Sequence, residues 1–298
     1  MANDHFLAQT YLKHFGDATT GGMLHAYKKP DGKYFACWPK DVCREWDGDL
    51  NEAILDRPEL LGDYRKMFEP HWNPAIANIL TRNLSPTNKF VVAAYMANMM
   101  VCTPAWRRVG ETVYGQQAVG YFRFDQAMKA KRGEQPKELA KAVELLEQGT
   151  MKITGDPSYI KGIVTRELLT YACMTYNLDW LIIENDTDQP YLTSDNPVAM
   201  SFSGRHGDPV TRLLPVTPKL CLSVVYRRRP PPGRLTPEAV RRIMNTPPLG
   251  VVTGAKAKPV AVREINRLVV QCAEELVFSS REDDGARELT KKYGRYPR

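Results

Sequence analysis

The sequence predicts an α+β fold in which a helical middle region packs against a mostly antiparallel sheet, formed by the C-terminal half together with an N-terminal hairpin. Three observations predict it. Apolar residues recur at helical spacing between residues 50 and 177, short apolar runs bounded by turn residues follow from 178 to 298, and a Pro-Asp-Gly turn at 30–32 separates two strand-like segments. No linker divides the chain convincingly. We therefore expect a single domain over 1–298, helix-rich over 50–177 and strand-rich over 178–298.

The first predicted elements are a short helix and a hairpin. Apolar residues between 6 and 15 recur at helical spacing, and residues 24–27 and 34–37 flank the Pro-Asp-Gly turn. Further along, Ser85-Pro86 and Asp156-Pro157 each place a capping side chain before a proline that suits the first helical position. A helix is expected to begin at each of these pairs.

The strand-rich half alternates apolar runs with turns. Residues 180–184 predict a buried strand, which a turn at 185–189 joins to 191–193 as a hairpin. The remaining predicted elements are strands at 220–226 and 276–279, a helix that starts at 236–238 and a helix at 262–274.

Charge is distributed unevenly along the chain. The 41 Lys and Arg exceed the 34 Asp and Glu by 7, and residues 151–298 carry 22 basic against 16 acidic side chains, an excess of 6. A basic half suits a polyanion such as nucleic acid, because neutralising phosphates releases counterions. A solubilising surface explains the same excess.

Several classes of protein are excluded or lose support. No apolar run approaches the roughly 20 residues that span a bilayer, and residues 1–20 lack the apolar core of a secretory signal, so we expect a cytoplasmic protein with no membrane partner. The six cysteines form no C-x-x-C pair, and the five histidines lack metal-finger spacing. A divalent metal is compatible with the chain but not indicated, no other cofactor is identified, and the oligomeric state is not predicted.

The candidate catalytic residues lie near the start of the chain and at the end of a predicted strand. His5 titrates near neutrality and sits four residues from Gln9, on one face of the predicted first helix; a packing or capping role is the alternative. In the run Thr193-Ser194-Asp195-Asn196-Pro197, Asp195 suits a general base or a metal ligand, and Asn196 suits the orientation of a substrate oxygen. Turn formation explains the same polar residues.

A role that involves no ligand also explains each of the polar residues Arg107, Glu69 and Asn266. Arg107, beside Arg108, suits phosphate binding or a solvated helix end, and Glu69 forms with Arg65 a solvated i,i+4 pair. Asn266 lies inside an apolar helix, where it makes a polar contact or faces water.

The resemblance to a known family depends on a longer set of residues, which are spread in order over most of the chain: His5, Gln9, Tyr11-Leu12, Phe15, 24–27, Glu69, Thr103-Pro104, Trp180, 193–197, Pro215, Thr217-Pro218 and Asn266. Together they resemble an uncharacterised bacterial family, the domain of unknown function DUF-4238. Ala8 stands where the family usually has proline, and Cys102 stands where an arginine is common, which weakens a phosphate role at that point. The resemblance implies a set of positions and no established activity.

We expect a nuclease that cleaves RNA or DNA without a metal ion or with weak metal assistance. His5 is the expected acid–base group, Asp195 its orienting or partner base, and Asn196 and Gln9 position the scissile phosphate. The expected substrate-binding residues are Gln9, Ser194, Thr217, Asn266 and Arg107. This hypothesis requires the start of the chain to fold back onto the segment near residue 195 and to share a polar hollow with it.

Two alternatives remain open. In the first, the protein is a non-enzymatic binding or regulatory module in which the same polar residues form turns and caps, and the basic loop at 227–229 meets an acidic partner. In the second, the protein hydrolyses a small nucleotide.

Overall fold

The computed structural model describes residues 3–46, 48–51, 54, 56–81, 84–134, 137–201, 211–225 and 251–295. The α-helices in these residues are α1 (Gln9–Leu12), α2 (Leu60–Leu80), α3 (Pro86–Val101), α4 (Pro104–Arg132), α5 (Lys137–Glu147), α6 (Pro157–Tyr176), α7 (Pro259–Cys272) and α8 (Asp284–Tyr293). The strands are β1 (Asn3–His5), β2 (Leu24–Lys28), β3 (Lys33–Cys37), β4 (Arg44–Trp46), β5 (Asp179–Glu184), β6 (Thr193–Ser194), β7 (Ala199–Ser201), β8 (Thr211–Thr217), β9 (Leu220–Val225), β10 (Val251–Lys256) and β11 (Leu276–Ser279).

These elements confirm the α+β class, with a helical middle region and mostly antiparallel sheets. A five-stranded sheet has the order β10-β5-β9-β8-β7, in which β10 and β5 are parallel and the other pairs are antiparallel. A four-stranded antiparallel sheet has the order β3-β2-β11-β6, so the N-terminal hairpin joins strands from the C-terminal half. The pair β1-β4 forms a separate two-stranded antiparallel sheet, called the ribbon below.

Helix α3 is central to the larger apolar core. It packs against both α2 and α6, and every residue from 89 to 101 is buried, because the helix is apolar on nearly all sides. Both predicted caps are confirmed: Ser85 Oγ accepts the Asn88 N–H, and an Asp156 carboxylate oxygen accepts the Tyr159 N–H. A smaller core lies where α7 meets the four-stranded sheet.

The start of the chain is tied to both larger sheets by one side chain. Tyr11 is fully buried, and its hydroxyl group lies 2.6 Å from Thr193 Oγ1 in β6 and 2.6 Å from the Pro215 carbonyl oxygen in β8. Since a carbonyl can only accept, the Tyr11 hydroxyl donates to Pro215 and accepts from Thr193. The first residues therefore fold back to the neighbourhood of residue 193, as the sequence predicts.

Two predicted local arrangements are wrong. His5 and Gln9 do not share a helix face, because His5 lies in β1 and the first helix begins only at Gln9, after Ala8 in an extended conformation. Residues 191–193 do not form a hairpin with 180–184: β5 pairs with β9 and β10, whereas β6 pairs with β11. The predicted basic loop at 227–229 and the predicted helix start at 236–238 lie outside the described residues.

Candidate functional site

The side chains of the ribbon lie on two opposite faces. His5 is directly opposite Arg44, and Asn3 is opposite Trp46. Because opposite residues of an antiparallel pair point the same way and neighbours along a strand alternate, these four side chains share one face. Asp4 and Glu45, also opposite each other, point to the other face.

His5 is half-buried and held by a backbone group. Its Nε2 lies 3.2 Å from the Lys40 carbonyl oxygen. A carbonyl only accepts, so Nε2 carries the hydrogen and Nδ1 keeps its lone pair. Burial lowers the pKa of His5 below its usual 6.5; the Lys40 hydrogen bond and Glu69 oppose this effect, whereas the positive charges of Arg44 and Arg65 add to it. The neutral imidazole, with Nδ1 able to accept a proton, is therefore the main form at pH 7.

The Glu69 carboxylate, which raises the pKa of His5, is part of a short hydrogen-bonded chain with two hydroxyl groups. Glu69 of α2 accepts from Thr10 Oγ1 at 3.1 Å, and the same Thr10 oxygen lies 2.8 Å from the Tyr95 hydroxyl. Since the Thr10 hydroxyl has one hydrogen and donates it to Glu69, Tyr95 must donate to Thr10. Burial raises the pKa of Tyr95, which keeps this donor protonated.

Arg65 brings a buried positive charge to the same place. It is 9% exposed, its Nε donates to Asn98 Oδ1 at 3.4 Å, and its Nη1 forms an ion pair with Asp49. Its Nη2 is buried with no hydrogen-bond partner among the described residues. A buried donor without an acceptor costs about 1–3 kcal/mol, so Nη2 retains hydrogen-bonding capacity inside the protein. We call His5, Thr10, Arg44, Arg65, Glu69 and Tyr95 the His5 cluster.

Two further cations interact with Glu45 of the ribbon. Arg107 forms an ion pair with Glu45, and Lys161 Nζ donates to the Leu50 carbonyl oxygen at 3.0 Å. Both cations, together with Arg65, act on the charge of the Cys102 thiol, whose pKa burial nonetheless raises. Cys102, two residues before the start of α4 at Pro104, thus lies in a positive electrostatic environment.

Asn196, one of the expected site residues, lies at the border of this region. Its Oδ1 accepts from Thr103 Oγ1 at 3.4 Å, and its Nδ2 donates to the Cys272 carbonyl oxygen at 2.8 Å. Gln9 is half-buried and precedes Thr10 in α1. Arg107 contacts Glu45 of the ribbon, and Asn196 contacts Thr103 just before α4. The catalytic or binding roles of His5, Gln9, Arg107 and Asn196 stay predictions.

Asp195 is engaged by the backbone. It is 4% exposed, and its carboxylate accepts three N–H groups, from Glu274, Glu275 and Leu276, at 2.8, 2.8 and 2.9 Å. Burial raises the pKa of Asp195 to about 6, although the three N–H donors favour the ionised form. These contacts join β6 to the segment that leads into β11.

The other expected binding residues also bond to the backbone. Asn266 is fully buried; its Oδ1 accepts from the Leu192 N–H and its Nδ2 donates to the Pro190 carbonyl oxygen, both at 2.9 Å. Ser194 Oγ accepts from the Asn196 N–H at 3.2 Å, and Thr217 Oγ1 accepts from the Lys219 N–H at 3.2 Å. These four bonds stabilise local turns and the junction with α7.

The residues that sequence reasoning undervalued are Arg65 and Glu69. The sequence predicts a solvated pair between Arg65 and Glu69, but each residue has other partners. Arg65 is buried beside Asp49 and Asn98, and Glu69 accepts a hydrogen bond from Thr10. The signal was present: Arg65 recurs with the apolar residues Leu61, Phe68 and Trp72 at helical spacing, on the face of α2 that packs inward.

No metal centre is evident in the part of the chain that the structure describes, where no group of three or more His, Cys, Asp or Glu side chains is arranged to hold an ion. None of the described helices combines the length and the apolar character needed to cross a bilayer.

Comparison with known proteins gives one match. The family model described as protein of unknown function (DUF4238) matches residues 3–283. Nothing among curated proteins or solved structures matches this chain.

Proposed function

Because this chain belongs to the DUF4238 family, whose description names no activity, we propose its function from the His5 cluster: a phosphodiester hydrolase that cleaves nucleic acid without requiring a metal ion. The observation that carries the proposal is the combination of a neutral imidazole, a carboxylate and a buried guanidinium whose Nη2 has no acceptor among the described residues. The carboxylate and the guanidinium both shift the pKa of the imidazole. A phosphodiester needs these groups, because its cleavage requires a base and stabilisation of added negative charge.

The proposed step is the addition of water across a phosphorus–oxygen bond. His5 Nδ1 takes a proton from water while the water oxygen attacks phosphorus, and the bond to the leaving sugar oxygen breaks. The leaving oxygen takes a proton from solvent, and His5 later returns its proton to solvent. Arg44 and Arg65 stabilise the negative charge on the phosphoryl oxygens, and Glu69 stabilises the imidazolium that forms.

This assignment differs from the initial hypothesis in the partner of His5. The carboxylate of Asp195 already accepts three backbone N–H groups. Glu69 acts on the charge of His5 and has one hydroxyl donor in Thr10, so we assign the partner role to Glu69.

The experiment is a cleavage assay with end-labelled RNA and DNA, in EDTA and in Mg²⁺. We expect cleavage by the wild type in EDTA, a loss of about 100-fold or more in His5→Asn, and a loss of about tenfold in Glu69→Gln. His71→Asn, which changes an exposed histidine on α2, is the matched control and should retain full activity. Equal products from wild type and His5→Asn would mean that another group, or a contaminant, performs the cleavage.

A binding module is the second candidate, and the backbone bonds of Asp195 and Asn266 favour it, since both residues serve folding. The melting temperature of the His5→Asn variant, compared with that of the wild type, distinguishes the two candidate functions. A structural His5 predicts a clear fall in melting temperature in His5→Asn, whereas a catalytic His5 predicts almost none. Cleavage of nucleoside triphosphates or cyclic nucleotides but not of polymers would support the small-nucleotide hydrolase.

A further inference from the structure

The two most exposed tryptophans of the protein flank, along the chain, the segment that contains Lys40 and Arg44. Trp46 is 70% exposed and Trp38 is 41% exposed, while Trp72 and Trp180 are fully buried and Trp106 is partly buried. A tryptophan side chain carries a large apolar surface, so leaving it in water forgoes a substantial stabilisation. Both indole rings therefore offer flat apolar surface to a ligand.

The backbone around Lys40 connects these tryptophans to the acid–base group. The Lys40 carbonyl oxygen accepts from His5 Nε2 and from Arg44 Nη1, both at 3.2 Å. Trp38 begins the turn that contains Lys40, and its own carbonyl oxygen accepts the Asp41 N–H at 2.9 Å. Trp46 shares the ribbon face of His5 and Arg44.

The charges on this face suit a phosphate chain without being uniformly basic. Arg44 and Lys40 are exposed, and among the described residues Arg44 has no partner other than the Lys40 carbonyl oxygen, so most of its donors are open. Asp41, also exposed, offsets part of this charge. Stacking on the tryptophans must therefore provide much of the affinity.

From this arrangement we infer that the ligand of the ribbon face is single-stranded nucleic acid, whose unpaired bases stack on Trp38 and Trp46 while its phosphates meet Arg44 and His5. The inference rests on the proposed function, because it names the substrate class of the same site. A duplex is a poor fit, since its bases are stacked on each other and their flat faces are closed to an aromatic side chain.

The test measures binding by fluorescence anisotropy in EDTA, with a labelled 12-nucleotide oligothymidine and a duplex of the same length as probes. His5→Asn is the background, so that the probes stay intact. We expect the single strand to bind at least tenfold more tightly than the duplex, and Trp46→Ala and Trp38→Ala each to weaken single-strand binding by about tenfold. Trp46→Phe should recover most of the affinity, because it restores an aromatic face.

Tyr121→Ala is the matched control. Tyr121 is 77% exposed but lies on α4, so its removal should leave the affinity unchanged. Equal affinity for the single strand and the duplex would overturn the inference. So would unchanged single-strand affinity in both Trp38→Ala and Trp46→Ala. Tight single-strand binding that depends on the tryptophans, without cleavage by the wild type, supports the inference while removing the hydrolase. Cleavage that is indifferent to both tryptophans removes the inference and leaves the hydrolase.

Discussion

The buried polar residues in the described part of the chain include two kinds. In some, all polar atoms of the side chain form hydrogen bonds to the backbone; in others, a donor or acceptor atom has no partner there. Asp195 accepts three N–H groups and Asn266 uses both ends of its amide, so neither has an obvious free group for a ligand. Arg65 is also buried but retains an Nη2 without an acceptor among the described residues. Because a buried donor gains most from a partner, the leftover capacity at Arg65 is the better indicator of function.

Asp195 gives a prediction about stability. Asp195→Ala leaves three N–H groups without their acceptor, and we expect the free energy of unfolding to fall by roughly 3–5 kcal/mol. Asp195→Asn should cost less, because one amide oxygen still accepts. Urea denaturation followed by circular dichroism measures both, with the exposed Asp188→Asn as a control near zero. A loss below about 1 kcal/mol in Asp195→Ala would show that these bonds contribute little.

Sequence reasoning could identify polar residues at turns but could not count their partners. The run 193–197 contains Asp195, with its backbone partners, and Asn196, which contacts Thr103. Both the donors of Asp195 and the partner of Asn196 lie about 80 to 90 residues away in the chain. The local pattern is therefore the same for a structural carboxylate and for a catalytic one.

At the scale of elements, signals that depend on neighbouring residues were the predictable ones. The caps at Ser85 and Asp156 act within one helical turn, and the hairpin turn at 30–32 acts within four residues. The ribbon was not predictable, because its strands have three residues each and the paired residues His5 and Arg44 are 39 residues apart in the chain. The apolar pattern near the start suggested one helix, since both β1 and α1 lead into the same core.

Helix α4 offers a prediction with its own internal control. A Cβ atom on Gly115 would overlap the Ile153 carbonyl oxygen, whereas one on Gly120 would meet nothing within 4 Å. Both glycines are helical, so alanine should favour the helix by about 0.5–1 kcal/mol at each. We expect Gly120→Ala to stabilise by about that amount and Gly115→Ala to destabilise by about 1–3 kcal/mol. The same denaturation experiment compares them, and stabilisation by both would contradict the close approach of α4 to residues 153–154.

At the scale of the whole molecule, the fold brings distant segments to one region. The Tyr11 hydroxyl joins the start of the chain to β6 and β8, and Arg107 joins the start of α4 to Glu45 of the ribbon. The α+β class and the family were predictable from the sequence, as was the return of the first residues to the segment near 193. The neighbours of His5 were not, because Glu69 and Arg65 reach it only through the packing of α2.

The most direct test of the central claim is the pH dependence of single-strand cleavage in EDTA. The His5 imidazole must be neutral to accept a proton, and burial with Arg44 and Arg65 lowers its pKa, against Glu69 and the Lys40 carbonyl. For the wild type, we predict a cleavage rate that rises with pH and levels off above an inflection that lies below pH 6.5. In His5→Asn, we predict a rate that is lower by about 100-fold or more and shows no such inflection. An inflection that persists unchanged in His5→Asn would contradict the account, because the titrating base would then be another residue.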